Sequence, residues 1–141
     1  MNAIPRDDDL VELQSAHSFE ATLQLLLDAI DAKGLTLFAH IDHAAMATSV
    51  GLTMPPTRVL IYGNPKGGTP VMVAVPQVAL DLPLRLLIRQ DTAGSTRVAY
   101  HPVVPMLLSS RVEGDLARTL MPAQAWIANT IGAQGPTKGN S

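Results

Sequence analysis

The chain has 141 residues, 47% of them apolar and 16% charged, and no cysteine. A chain of that length buries roughly 68–70% of its unfolded surface around one core, and the missing thiols exclude disulfides, thiolate chemistry and cysteine-held metal clusters. With a net charge of −2, one Trp, two Tyr and two Phe, it lacks the positive field and stacking rings of a nucleic-acid binder, so nucleic acid is not an expected partner.

The opening stretch, MNAIPRDDDLVE, has three consecutive aspartates and no apolar leader core, so a cytoplasmic location is the expectation. The most apolar stretch, Val71 to Ile88, is broken by Pro76, Asp81, Pro83 and Arg85 and is not read as a membrane span. Around Val11 and Leu13 the apolar residues alternate with polar ones, which predicts a strand. Ser18 is a natural N-cap, and Phe19, Leu23, Leu26, Leu27 and Ile30 form one stripe of an amphipathic helix ended by Lys33 and Gly34. A second strand is predicted over Leu35 to Ile41, with Leu35, Leu37, Ala39 and Ile41 on one face and Thr36, Phe38 and His40 on the other. Asp42 is placed to cap a short helix ending at Gly51.

Arg58 to Tyr62 reads as the third strand, followed by YGNPKGGTP. Here Gly67 and Gly68 are expected to reverse the chain, with Thr69 capping a helix and Pro70 at its first position. On that reading Gly67→Ala strains a positive-φ turn. Leu84 to Gln90 and Thr96 to His101 flank DTAGS as a hairpin, and Leu84, Leu86, Ile88 and Val98 are expected in the core. Beyond it lie helical segments, one capped by Asp115 and one opened by Pro122 and carrying Trp126, Ile127 and Ile131. The organisation expected is a flexible acidic terminus over 1–9, one α+β domain over 10–131 and a disordered tail over 132–141. In the domain, a single antiparallel or mixed sheet of about five strands carries two main helical regions on one face and short helical insertions, in a β-α-β-β-β-β-α-like order.

Gly63 and Gly68 share the glycine spacing of a Walker A loop, but Thr69 and Pro70 stand where that loop needs Lys and Ser/Thr. A weaker site for a small anionic ligand is readable from Asn64, Lys66, Gly67, Gly68 and Thr69, through backbone amides at a helix start assisted by the lysine. HIDH adds Asp42 and His43 as candidate ligand-binding residues, and His40, Asp42 and His43 as candidate metal ligands. The bland reading of the same residues is a helix cap, local hydrogen bonds and a structural turn. Arg58, Arg85, Arg89 and Arg97 are readable as one basic sheet face, with Glu12 and Asp91 available to neutralise it.

GNPKGGTPVM followed by ALDLPLRLLI, with GLTLFAHIDHAAMATSVGL and PPTRVLIYGNP upstream, resembles the domain-of-unknown-function family 302 over Leu10 to Arg111. The resemblance implies a small α+β fold similar in topology to the TATA-binding-protein-like class, and a homodimer. It implies no established activity. Some relatives carry cysteines near the Asn-Pro and Leu-Pro positions, where this chain has Gly63 and Leu84, so a thiol-dependent role does not transfer. The functional expectation is a non-enzymatic small-ligand-binding or interaction module acting as a homodimer, its cofactor unspecified. The alternative is a metal- or cofactor-binding protein or enzyme using His40, Asp42 and His43.

Overall fold

Residues 10–133 are described by the computed structural model; the expectations for 1–9 and 134–141 fall outside them. The elements run β1 (Val11–Gln14), α1 (Phe19–Ala32), β2 (Thr36–Asp42), α2 (His43–Ser49), β3 (Thr57–Gly63) and α3 (Pro65–Ala74). A 3₁₀ turn (Pro76–Leu80) leads to β4 (Leu84–Gln90), β5 (Thr96–Tyr100), α4 (Val103–Ser109), α5 (Gly114–Arg118), α6 (Pro122–Ala125) and α7 (Ile127–Thr130). The five strands form one antiparallel sheet in the order β1-β5-β4-β3-β2, which makes this an α+β fold.

The sheet's inner face carries Leu13, Leu60, Tyr62, Leu84, Leu86, Ile88 and Val98, all buried. Against it lies the predicted stripe of α1, with Phe19, Leu23, Leu26 and Ile30 buried and Leu27 partly so. Ser18 caps α1 by accepting from the Ala21 amide at 3.2 Å. Ile127 and Ile131 complete the core from the carboxy-terminal side. Gly132 at φ +67° ends that segment, and the Ala133 amide donates to the Ala128 carbonyl at 3.0 Å, so regular hydrogen bonding continues into the first residues of the expected tail.

Polar ties hold the first and last of the described segments to this core. Ser15 Oγ and Thr22 Oγ1 share a hydrogen bond of 2.6 Å, and the Ala16 amide donates to the Ile131 carbonyl at 2.9 Å. Gln124, 7% exposed, accepts from the Val103 amide through Oε1 and donates to the His101 carbonyl through Nε2, both at 2.9 Å.

Register places Val59, Leu87 and Ala99 in one cross-strand row of the outer face, with Arg89 opposite Arg97 in the next. Arg58 is not part of that face. It pairs in register with the buried Ile88, so it projects to the other side of the sheet. Arg89 meets Glu12 at 3.2 Å and Arg97 meets Asp91 at 3.0 Å, so the expected neutralisation is realised for these two arginines. The hydrogen bond from Arg97, together with the Ser95 amide, holds the Asp91 carboxyl below its usual range.

Three local expectations need correction. Helix α3 starts at Pro65, not Pro70, because Asn64 caps it by accepting from the Lys66 amide at 3.0 Å. Gly67 and Gly68 are therefore helical residues, and neither has positive φ. In β2 a register shift between Leu37 and Ala39 moves Leu37 to the face of His40, opposite Tyr62, so the simple alternation fails at Phe38. The cap of α5 is Glu113, whose carboxylate accepts from the Leu116 amide at 3.1 Å; Asp115 instead pairs with Arg118.

Candidate functional site

At the Gly63 end of the sheet several elements converge without closing. Helix α1 ends there in Lys33, β2 bulges at Phe38, β3 turns into α3 at Gly63 and Asn64, and β4 begins after the cis Leu82–Pro83 bond. The turn from α5 into α6, Thr119 to Trp126, faces them. Between them is a cavity of about 430 Å³. That is within the ~300–1,000 Å³ of small-molecule sites.

The wall is mostly apolar. Leu35, Phe38, Met72, Leu82, Leu84, Leu120 and Trp126 line it, and Thr69 and Thr119 add hydroxyls. Lys33 is the charged residue of the lining. Its Nζ lies 5.9 Å from the centroid of the Trp126 ring, within cation–π range. Trp126 is in turn fixed from behind. Its Nε1–H donates to the Ala123 carbonyl at 2.7 Å, and the Tyr62 hydroxyl donates to the same carbonyl at 2.9 Å. The two rings meet edge to face at 6.0 Å. Burial, with a smaller contribution from Tyr100, pushes the Tyr62 phenol well above its ordinary range, so it is held as a hydrogen-bond donor.

Why glycines stand at Gly67 and Gly68 follows from the cavity. A β-carbon at Gly67 would come within 3.2 Å of Leu120 Cδ2, so the small residue lets α3 approach the α5–α6 segment. A β-carbon at Gly68 would meet Met72 Cε at 3.8 Å, an ordinary contact, and would stand in the cavity wall. At Gly67 the turn requirement read from sequence is replaced by close approach.

The expected amide cradle is occupied by the protein itself. Pro65 has no N–H, the Lys66 amide donates to Asn64 Oδ1, and the Gly67 and Gly68 amides both donate to the Asn64 carbonyl at 2.9 and 2.8 Å. Asn64 thus satisfies the helix start that an anion would otherwise fill.

Of the sequence candidates, Asn64, Gly67, Gly68 and Thr69 line the cavity, while Lys66 is exposed and outside its lining. Asp42 and His43 are elsewhere. In the β2–β3 ladder Thr36 pairs with Gly63 at the cavity end and Asp42 with Arg58 at the other, a separation of roughly 20 Å along the strand. There Asp42 caps α2 by accepting from the Ala45 amide at 2.9 Å and pairs with Arg58 at 3.2 Å. The same guanidinium donates from Nη1 to His40 Nε2 at 2.9 Å. His40 and Asp42 are partners of an arginine, and no group of three or more metal-ligating side chains occurs among the described residues. Lys33, Phe38 and Trp126 were not singled out as site residues from sequence. The usable signal was a single tryptophan together with paired glycines that turn out to be helical.

Residues 11–131 match the family model described as Domain of unknown function DUF302. A crystal structure of an uncharacterized conserved DUF302 protein from Bacillus stearothermophilus superposes with a TM-score of 0.75, at 15% identity, over 88% of this chain and 96% of that one. The chain is also 38% identical over 88 residues to proteins named Fluoride-specific ion channel FluC 1 from Brucella suis biovar 1 and Brucella abortus biovar 1. Those matches take in 62% of this chain and span only 35% and 33% of the two relatives. No helix among the described residues is long and apolar enough to cross a membrane.

Proposed function

The chain belongs to the DUF302 family, and from that premise we propose that it is a non-enzymatic small-ligand-binding protein whose site is the cavity between α3 and the α5–α6 turn. The observation that carries this reading is the cavity itself, about 430 Å³ with Phe38, Met72, Leu120 and Trp126 in an apolar wall. Such a preformed apolar space favours a ligand with a substantial apolar body. The channel name of the Brucella proteins attaches to chains about three times as long as the matched segment and is not carried over.

Trp126 is the single tryptophan of the chain, so its emission reports on the site directly. Titration with octanol, a neutral apolar probe, is expected to shift that emission saturably. Emission that changes only linearly with octanol, as from bulk solvent, would remove the basis for the site.

Pairing of two copies belongs to the same proposal. It is supported by α2, which buries none of its side chains and leaves Met46 64% exposed, with Val50 just beyond its end 72% exposed. Sedimentation of the wild-type chain is expected to give a dimer, and Met46→Lys combined with Val50→Lys a monomer. A wild-type monomer at all concentrations tested would overturn the pairing.

A further inference from the structure

Resting on the cavity as the binding site, we infer that its ligand is an amphipathic monocarboxylate, with the carboxylate at Lys33 and the chain against Trp126. Three observations lead there. Lys33 is the charged residue in a lining that is otherwise apolar or neutral, so it sets the sign of the head group. It is exposed and makes no ion pair among the described residues, so its ammonium is available at the mouth. Its Nζ stands 5.9 Å from the Trp126 centroid, which keeps the charge beside the apolar wall and not out over the surface.

The number of charges narrows the class. A phosphate monoester carries close to two charges at neutral pH and is matched by arginine forks or by free helix amides. The lining contains no arginine, and the first-turn amides of α3 are consumed by Asn64. One ammonium with neutral donors from Thr69 and the Asn64 side-chain amide matches a single negative charge, the Thr119 hydroxyl being committed to the Leu116 carbonyl at 2.6 Å. The apolar remainder of the ligand then extends toward Met72, Leu120 and Trp126.

The experiment compares octanoate, octanol and octyl phosphate on the full chain, read by Trp126 emission. Octanoate is expected to bind about tenfold more tightly than octanol, the equivalent of one exposed charge-assisted hydrogen bond. Lys33→Met should erase that preference, bringing the octanoate and octanol affinities of the variant together. Added salt should weaken octanoate selectively in the wild type, a readout that does not depend on any variant folding. If octanoate and octanol bind equally well, the carboxylate inference falls and the cavity reading stands. Tighter binding of octyl phosphate than of octanoate also overturns the monoanion class. Failure of all three probes to bind removes both readings together.

Discussion

Gly68→Leu is expected to leave the fold intact and abolish ligand binding. Gly68 lies inside α3 without positive φ, so the backbone accepts a side chain there. Its β-carbon would meet Met72 Cε at 3.8 Å, which is ordinary contact. Replacing a helix-interior glycine by leucine favours the helix by about 0.5–1 kcal/mol. The new side chain then occupies cavity volume that the ligand needs, because Gly68 is part of the lining. Octanol affinity should fall about 100-fold or more, equivalent to about 3 kcal/mol, with Tm unchanged or slightly raised. A Gly68→Leu protein that binds octanol as the wild type does would show that the cavity is not the site. Gly67 is the less informative neighbour, since its β-carbon would press on Leu120 at 3.2 Å and mix a packing effect with any change in binding.

Gln124→Ala is expected to be the most destabilising of the polar substitutions. Both ends of this buried side chain are engaged, one by the Val103 amide and one by the His101 carbonyl. Truncation removes two hydrogen bonds and strands the Val103 amide, itself in a residue 1% exposed. An orphaned buried polar group costs about 1–3 kcal/mol, and with the second lost bond the total is about 2–4 kcal/mol. Thermal unfolding should show a fall in Tm on the order of 10 °C. Gln124 sits in the short helix that also supplies Ala123, the shared acceptor of Tyr62 and Trp126. Weakened octanol binding should accompany the loss of stability. A Tm within a degree or so of wild type would mean that neither hydrogen bond contributes appreciably.

The framework was legible because it depends on local chemistry. Ser18 and the Phe19–Leu23–Leu26–Ile30 spacing specify α1, and the alternating apolar residues of β4 identify its buried face. Thr69–Pro70 reads as a cap-and-proline start, but the helix already begins at Pro65, where Asn64 caps it through the Lys66 amide. Gly67 looked like a turn residue because glycine's other use, close approach, depends on a partner some fifty residues away at Leu120. The cavity is harder still to see in sequence. Lys33, Phe38, Met72, Leu84 and Trp126 come from separate elements, and no spacing rule links them. Conversely, Asp42 and His43 looked like site residues through chemical type alone. The antiparallel register puts them at the far end of the sheet from Asn64.

The sheet order also bears on how the chain is made. Val11 pairs with Tyr100, its partner 89 residues further along (100 − 11), so β1 cannot dock until nearly all of the sheet has been synthesised. At about 5–20 residues per second, that interval is roughly 4–18 s. Throughout it, β1 is a short amphipathic strand with no native neighbour, and β5, when it emerges, has one open side until β1 joins it. Unpaired strand edges are the features through which nascent chains associate wrongly. The short length of β1, four residues, limits the template it offers during that wait.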